Sequence, residues 1–214
     1  MVKTLMMIFA FAAASGGGVS LCQSLYLEHG RSGRLLNAQY IGGEGISGVA
    51  GGFGYSLNGD YDLGLNVGRM SDEFGDLEYT SWAPYLSAIL VRPTPEAPTG
   101  FEVQVGYESG TYSGADIDRY DWDMEATGLT WSGSIYGRIV DRSGNIYYPS
   151  LGVSRITADI TITDAHGNKA SSVVESTPVH IGVTELYKKE IILGIMLSLA
   201  NGNSTWQAGV GYLF

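Results

Sequence analysis

Between Ser47 and Met70 the sequence alternates with a period of two on both sides of a tight turn, and few folds accept that pattern. On the first arm Val49, Phe53, Tyr55 and Leu57 share one face, against Gly48, Ala50, Gly52, Gly54 and Ser56 on the other. Asn58-Gly59-Asp60 is a strong hairpin signal. The return arm repeats the pattern, with Tyr61, Leu63, Leu65 and Val67 against Asp62, Gly64, Asn66 and Gly68. A soluble sandwich also alternates, but its second face carries long polar and charged side chains for water. Here the second face is mostly glycine, alanine, serine and asparagine. Small inward residues suit the crowded lumen of a narrow barrel, and large apolar outward residues suit lipid.

The same period recurs along the chain. Leu36, Ala38 and Tyr40 oppose Asn37 and Gln39 before the Gly42–Gly45 turn. Phe101, Val103, Val105 and Tyr107 oppose Glu102, Gln104, Gly106 and Glu108. Leu129, Trp131, Gly133 and Ile135 oppose Thr130, Ser132, Ser134, Tyr136 and Arg138, and Asp141–Asn145 is a tight turn. Tyr147, Leu151 and Val153 oppose Tyr148, Ser150, Gly152 and Ser154. Val179, Ile181, Val183 and Tyr187 oppose His180, Gly182 and Thr184; after Lys188-Lys189-Glu190, Ile191 to Leu199 alternates with Gly194, Met196 and Ser198. Tyr79 to Val91 is a long apolar strand without a fixed phase, because Trp82 and Tyr85 lie on opposite faces and Pro84 interrupts. Leu25-Tyr26-Leu27 reads either as a short strand or as an extended lead-in. Arg155 to Ser176 carries a β-like run at Ile156 to Thr163, expected as a hairpin standing above a membrane. Counting from Leu36 gives about ten strands, with eight as the alternative. The fold class expected is all-β: an antiparallel up-and-down transmembrane β-barrel spanning residues 23–214.

Composition agrees. Only 16% of the residues are charged, while the chain has 31 glycines and 14 tyrosines, a balance common in twisted sheets and barrels. A net charge of −10 argues against nucleic acid as a partner, since phosphate would be repelled. After the N-terminus no run of 18 apolar residues occurs, which excludes a helical membrane protein. Residues 1–22 read as an export signal: Lys3 is the positive start, Leu5 to Ala14 the apolar stretch, and small residues follow. Cleavage is expected after Cys22, or as late as Ser24. Val19-Ser20-Leu21-Cys22 also resembles a lipoprotein signal, but Leu21 stands where that signal has Gly or Ala. Cleavage at either site leaves no cysteine in the exported chain, so a disulfide framework is not expected.

The ending adds a resemblance. In Thr205 to Phe214, the residues Trp206, Ala208, Val210, Tyr212 and Phe214 share one face. This is similar to the C-terminal signature of bacterial outer-membrane β-barrels, and the chain as a whole resembles the small barrels of the outer membrane protein A and X types. The resemblance implies a cell outer membrane location, outer-membrane lipid as the surrounding partner, and a monomer. It also implies that the barrel-assembly machinery recognises Tyr212 and Phe214. Loop lengths alternate as in such barrels: the turns at Asn58–Asp60, Arg92–Thr99, Asp141–Asn145 and Lys188–Glu190 are expected in the periplasm and the long loops outside. That orientation sorts Tyr61, Phe101, Tyr147, Tyr187, Tyr212 and Phe214 into a periplasmic aromatic ring and Tyr107, Trp131 and Trp206 into an exterior one.

For function the expectation is a non-enzymatic barrel with a structural, adhesive or narrow-pore role and no cofactor or metal. Glu102 and Arg138 are expected to face each other in the lumen at similar depth, joined by Asp62, as a polar cluster closing the periplasmic end. The acidic stretch Ser109 to Ala126 is expected as the longest loop. Its Asp116, Asp118, Asp121, Asp123 and Glu125 offer hard oxygen ligands, but their spacing matches no calcium loop. One alternative is a membrane-embedded enzyme acting on lipid or peptide. His180 and Ser198 are its candidate pair, inward-facing on adjacent strands, with no acid evident to orient the histidine. The other alternative is a secreted lipocalin-like binding barrel, which calls for an apolar interior.

Overall fold

The alternating segments form long antiparallel strands, because large β-branched and aromatic side chains on one face and small ones on the other fit a pleated wall. In the computed structural model, which describes residues 23–27, 29–72 and 76–214, they close into a ten-stranded antiparallel barrel. Its wall runs through β1 (Gly33–Gly43), β2 (Ile46–Leu57), β3 (Tyr61–Asp72), β4 (Glu78–Val91), β5 (Thr99–Ser113) and β6 (Asp123–Gly137). A two-residue β7 (Ile139–Val140) pairs with the start of β8 (Ile146–Thr163), and β9 (Lys169–Ser176) pairs only with the upper part of β8. The wall resumes with β10 (Val179–Tyr187), β11 (Ile191–Ala200) and β12 (Asn203–Leu213), and β12 pairs with β1 from Leu35↔Leu213 to Gly43↔Thr205. Closure leaves the wall without an open edge. The strand count is therefore ten rather than eight.

The first described residues, the C-terminal strand end and the connections 58–60, 92–98, 141–145 and 188–190 lie at one end of the barrel, called here the short-turn end; the other, the loop end, holds two-residue turns at 44–45 and 201–202 as well as the connection 114–122 and the hairpin of upper β8 with β9. A type I′ turn, whose twist matches that of the strands, needs positive φ at both central positions. Asn58 and Gly59 supply it at φ 54° and 68°, and so do Lys188 and Lys189 at 51° and 64° without any glycine. The turns at 141–145 and 164–168 share the sequence Asp-x-x-Gly-Asn and one geometry. In each, the aspartate Oδ1 accepts the N–H groups of the residues two and four places on, and Oδ2 accepts the asparagine Nδ2.

Three expectations change. The stretch 109–126 is mostly strand, leaving a short connection whose helical turn is α2 (Ala115–Tyr120), α1 being Gln23–Tyr26. The alternation continues there with Gly110, Tyr112, Met124 and Ala126 inward, but the outward partners Thr111, Ser113, Asp123 and Glu125 are polar and mask it. Gln23–Tyr26 is neither strand nor lead-in but a helical turn, α1, tucked into the short-turn end with Leu25 and Tyr26 buried. Strand β4 runs on through Pro84, with Trp82 outward and Tyr85 inward, and its ladder with β5 is irregular between Ile89 and Val91. The expected signal segment 1–22 lies outside the described residues. The expected hairpin after Arg155 is present as upper β8 and β9.

The lumen is packed, and the small inward residues of one strand receive large ones from the next. A Cβ on Gly64 would lie 2.5 Å from the ring of Tyr85, and one on Gly100 would collide with the ring of Tyr136. Two apolar clusters result. Ile41, Ile46, Met70, Tyr79, Tyr112 and Ile160 fill the loop end, together with Ile117 from α2. Leu25, Tyr26, Leu35, Tyr136, Tyr148, Leu186 and Ile192 fill the short-turn end. Between them lies a buried polar layer that includes Gln39, Asn66, Gln104, Thr130, Ser154, His180 and Gln207. The interior is thus not uniformly small and polar, as the hairpin at 47–70 suggested: bulky residues come from β4, β6, β8 and β11.

Candidate functional site

The outer wall comes first, because it dictates the solvent. Leu63, Leu65 and Val67 on β3, Ile135 on β6, Leu151 and Val153 on β8, and Ile181, Ile195, Leu197 and Val210 beyond are all exposed, Leu63 at 59%. An unbroken apolar belt around the whole circumference far exceeds the patches that a soluble monomer exposes to water. Its two borders are aromatic. Tyr61, Tyr187, Tyr212 and Phe214 edge the short-turn side; at the loop side Tyr40 and Trp206 meet with ring centroids 5.3 Å apart, Trp82 and Tyr107 at 5.9 Å, and Trp131 stands 58% exposed. Tyr40 and Trp82 extend the ring expected from sequence. This outer belt, rather than the interior, separates the chain from a lipocalin-like barrel, since the lumen is apolar at both ends.

The C-terminal pair lies on this wall. The Tyr212 and Phe214 rings stack at 6.0 Å, both facing outward. Phe214 is held to β1 by its N–H donating to Arg34 O at 2.9 Å and by its carbonyl accepting the Arg34 N–H at 2.8 Å.

Inside, His180 and Ser198 are brought together as cross-strand neighbours, with His180 Nδ1 2.8 Å from Ser198 Oγ. The sequence did not point to the second partner, Ser154 on β8, whose Oγ lies 2.8 Å from His180 Nε2. One ring nitrogen donates and the other accepts in the neutral imidazole, so both hydroxyls are satisfied. The histidine borders a lumen cavity of about 50 Å³, lined also by Leu25, Tyr26, Glu102, Gln104 and Tyr148. That is room for roughly three or four waters. Among the described residues no carboxylate hydrogen-bonds His180, and Leu25 and Tyr26 of α1 border the cavity from the short-turn side. The arrangement has the chemistry of a structural hydrogen-bond bridge.

The expected cluster is only partly assembled. Asp62 is fully buried and accepts from the Ser87 hydroxyl at 3.4 Å; Glu102 is also buried. Register separates Glu102 from Arg138: Glu102 faces Ser134 on β6, and Arg138 lies four residues further toward the short-turn rim, its N–H donating to Pro98 O at 2.7 Å. The Arg138 guanidinium instead lies within electrostatic reach of the Tyr148 hydroxyl. Equal depth was inferred from each strand's own ends, and the stagger between β5 and β6 removes it.

The sequence also gave no weight to Arg92. Its Nη1 donates to Leu27 O at 2.7 Å and its Nη2 to Gly59 O, with Asp60 Oδ1 at 3.5 Å, so one guanidinium ties the segment after α1 to the β2–β3 turn. Tyr26 completes the closure, donating to Thr184 Oγ1 at 2.8 Å across the lumen and meeting Tyr148 edge-on at 5.4 Å. At the loop end, Tyr79 donates to buried Glu108 at 2.8 Å and stacks on Tyr112 at 4.5 Å. Asp118, Asp121, Asp123 and Glu125 are exposed, and among the described residues no three His, Cys, Asp or Glu side chains converge as a metal requires.

No family model matches the sequence, and no curated protein does. Among solved structures the chain is similar to the translocator domain of autotransporter NalP from Neisseria meningitidis, with TM-score 0.44 and 11% identity over 94% of this chain and 99% of that one. It is similar to the N-terminal β-barrel domain of Pseudomonas aeruginosa OprF, with TM-score 0.40 and 11% identity over 87% and 100%. It is also similar to Ail, the attachment invasion locus protein of Yersinia pestis, with TM-score 0.31 and 14% identity over 87% and 100%.

Proposed function

We propose that the chain is an integral, monomeric protein of the bacterial outer membrane, of the general kind of the outer membrane protein A and X barrels. In this reading the barrel is a closed anchor and the working part is the structure above the loop-end aromatic ring. The observation that carries the reading is the apolar belt, bordered on both sides by aromatics, around a lumen filled at each end by an apolar cluster. A narrow-pore role is disfavoured because α1 at one end and Ile117 of α2 at the other block a path through the centre. A hydrolytic role is disfavoured because His180 bridges the Ser154 and Ser198 hydroxyls and, among the described residues, no carboxylate orients it. Short turns face the periplasm in this reading, and Tyr212 and Phe214 present the ending that the assembly machinery recognises.

The test is fractionation with topology. The protein should be recovered in the outer-membrane fraction and migrate faster on a gel before heating than after. On intact cells an impermeant thiol reagent should label D118C and leave K189C unlabelled. Recovery in the soluble fraction would reject the reading, and the reverse labelling would invert the orientation. Deletion of Phe214 should cut outer-membrane yield while leaving the fold of refolded protein intact.

A further inference from the structure

The connection between β5 and β6 carries a feature that a membrane anchor does not need. Tyr120 and Trp122 stack with ring centroids 5.0 Å apart at 25°, yet both are exposed, at 52% and 41%. Lipid does not account for them. Asp123, the first residue of β6, is eight residues above Trp131 of the aromatic ring, so the pair stands roughly 20 Å beyond that ring for a strand rising about 3.3 Å per residue at the usual tilt. Large aromatics left in water at such a place are characteristic of binding hot spots.

The surroundings select the partner. Below the pair, the outward faces of upper β6 and β8 carry Asp123, Glu125 and Asp159, all exposed, and none of the three is in an ion pair among the described residues. Three of the four arginine and lysine side chains described at this end are engaged, Lys169 of β9 being the exception. Arg69 pairs with Glu78, Arg155 pairs with Glu175 at 2.9 Å, and the Arg119 guanidinium sits 5.8 Å over the Tyr120 ring. That last contact is a cation–π interaction already made by the loop with its own arginine, and the outward face of Trp122 offers the same chemistry to an incoming one. A polyanion would be repelled here, and a neutral glycan would gain nothing from the charge.

We propose that Tyr120, Trp122 and the acidic strip Asp123–Glu125–Asp159 form a docking surface for a basic, arginine-rich segment of another protein. The acidic strip draws the segment in over long range, and the aromatic pair holds an arginine once it arrives. The proposal rests on the reading that the loop end faces the exterior. The two fail separately, because fractionation and thiol labelling test that reading whereas the binding below uses purified protein refolded in detergent micelles.

The probe is a fluorescently labelled ten-residue peptide of alternating arginine and serine. A glutamate–serine peptide and a linear neutral oligosaccharide serve as the alternatives. Fluorescence anisotropy should detect binding of the arginine peptide alone, weakening at least tenfold between about 50 and about 500 mM salt. Y120S/W122S should bind roughly three- to tenfold more weakly with its salt dependence kept. D123N/E125N/D159N should weaken binding at low salt and flatten the salt dependence. Both variants change exposed positions, and unaltered heat-modifiable migration would confirm that the barrel is intact. Equal affinity of Y120S/W122S and the unaltered protein would overturn the aromatic site. Binding of the oligosaccharide that depends on the pair would overturn the basic partner in favour of a glycan.

Discussion

His180 Nδ1 and Ser198 Oγ lie 2.8 Å apart across the β10–β11 ladder, buried at the polar waist of the lumen. With Ser154 on the other ring nitrogen, the imidazole spans β8, β10 and β11. Replacing it orphans two hydroxyls and leaves a void. H180A should therefore lower the unfolding free energy in micelles by about 2–4 kcal/mol, and S198A by about 1–2 kcal/mol. A fluorophosphonate probe should leave Ser198 unmodified in folded protein; its labelling would restore the enzyme reading.

Arg138 lies within electrostatic reach of Tyr148, whereas Glu102 faces Ser134 four positions deeper. In double-mutant cycles measured by urea unfolding, R138A and Y148F should couple by roughly 0.5–1.5 kcal/mol, and R138A and E102Q should be additive within about 0.5 kcal/mol. Strong coupling of Arg138 with Glu102 would instead support the closing cluster that the sequence suggests.

Lys188 and Lys189 both hold positive φ in the turn between β10 and β11, where a side chain costs energy that asparagine and glycine avoid. The double substitution K188N/K189G should stabilise the barrel by about 1 kcal/mol. An unchanged or lower unfolding midpoint would mean that the Lys188 ammonium over the Tyr187 ring, 5.0 Å from its centroid, outweighs the backbone relief.

Asp164, in the turn between β8 and β9, has its carboxyl pKa lowered, first by the Asn168 side chain and then by the backbone N–H groups of Asn168, His166 and Gly167. A depressed folded-state pKa means that the turn's contribution is present above the ordinary aspartate range and is lost as pH falls through the lower folded value. Titration followed by NMR should find Asp164 below ordinary aspartates, and N168A should shift it upward. No upward shift in N168A would show that the side-chain contact is not the main cause.

The chain's period of two by itself determined most of the strands and their two faces, the phase of β4 and the strand ends within 109–126 excepted, and with them the aromatic borders, because each depends on residues a few positions apart. Asn58-Gly59 marks its turn locally, and Trp206 to Phe214 carries its outward face in its own alternation. The height of Tyr120 and Trp122 above the belt depends on the full lengths of β5 and β6, whose polar outward residues mask the alternation there. Three relationships were left to the tertiary structure: the depth of Arg138 relative to Glu102, the insertion of α1 under the guanidinium of Arg92, and the fit of Tyr85 against Gly64. A lumen position is set by the stagger of every strand in the closed wall, and what fills the space beside a glycine comes from a neighbouring strand whose register closure imposes. The alternation therefore says which way a side chain points, and only barrel closure says what it meets.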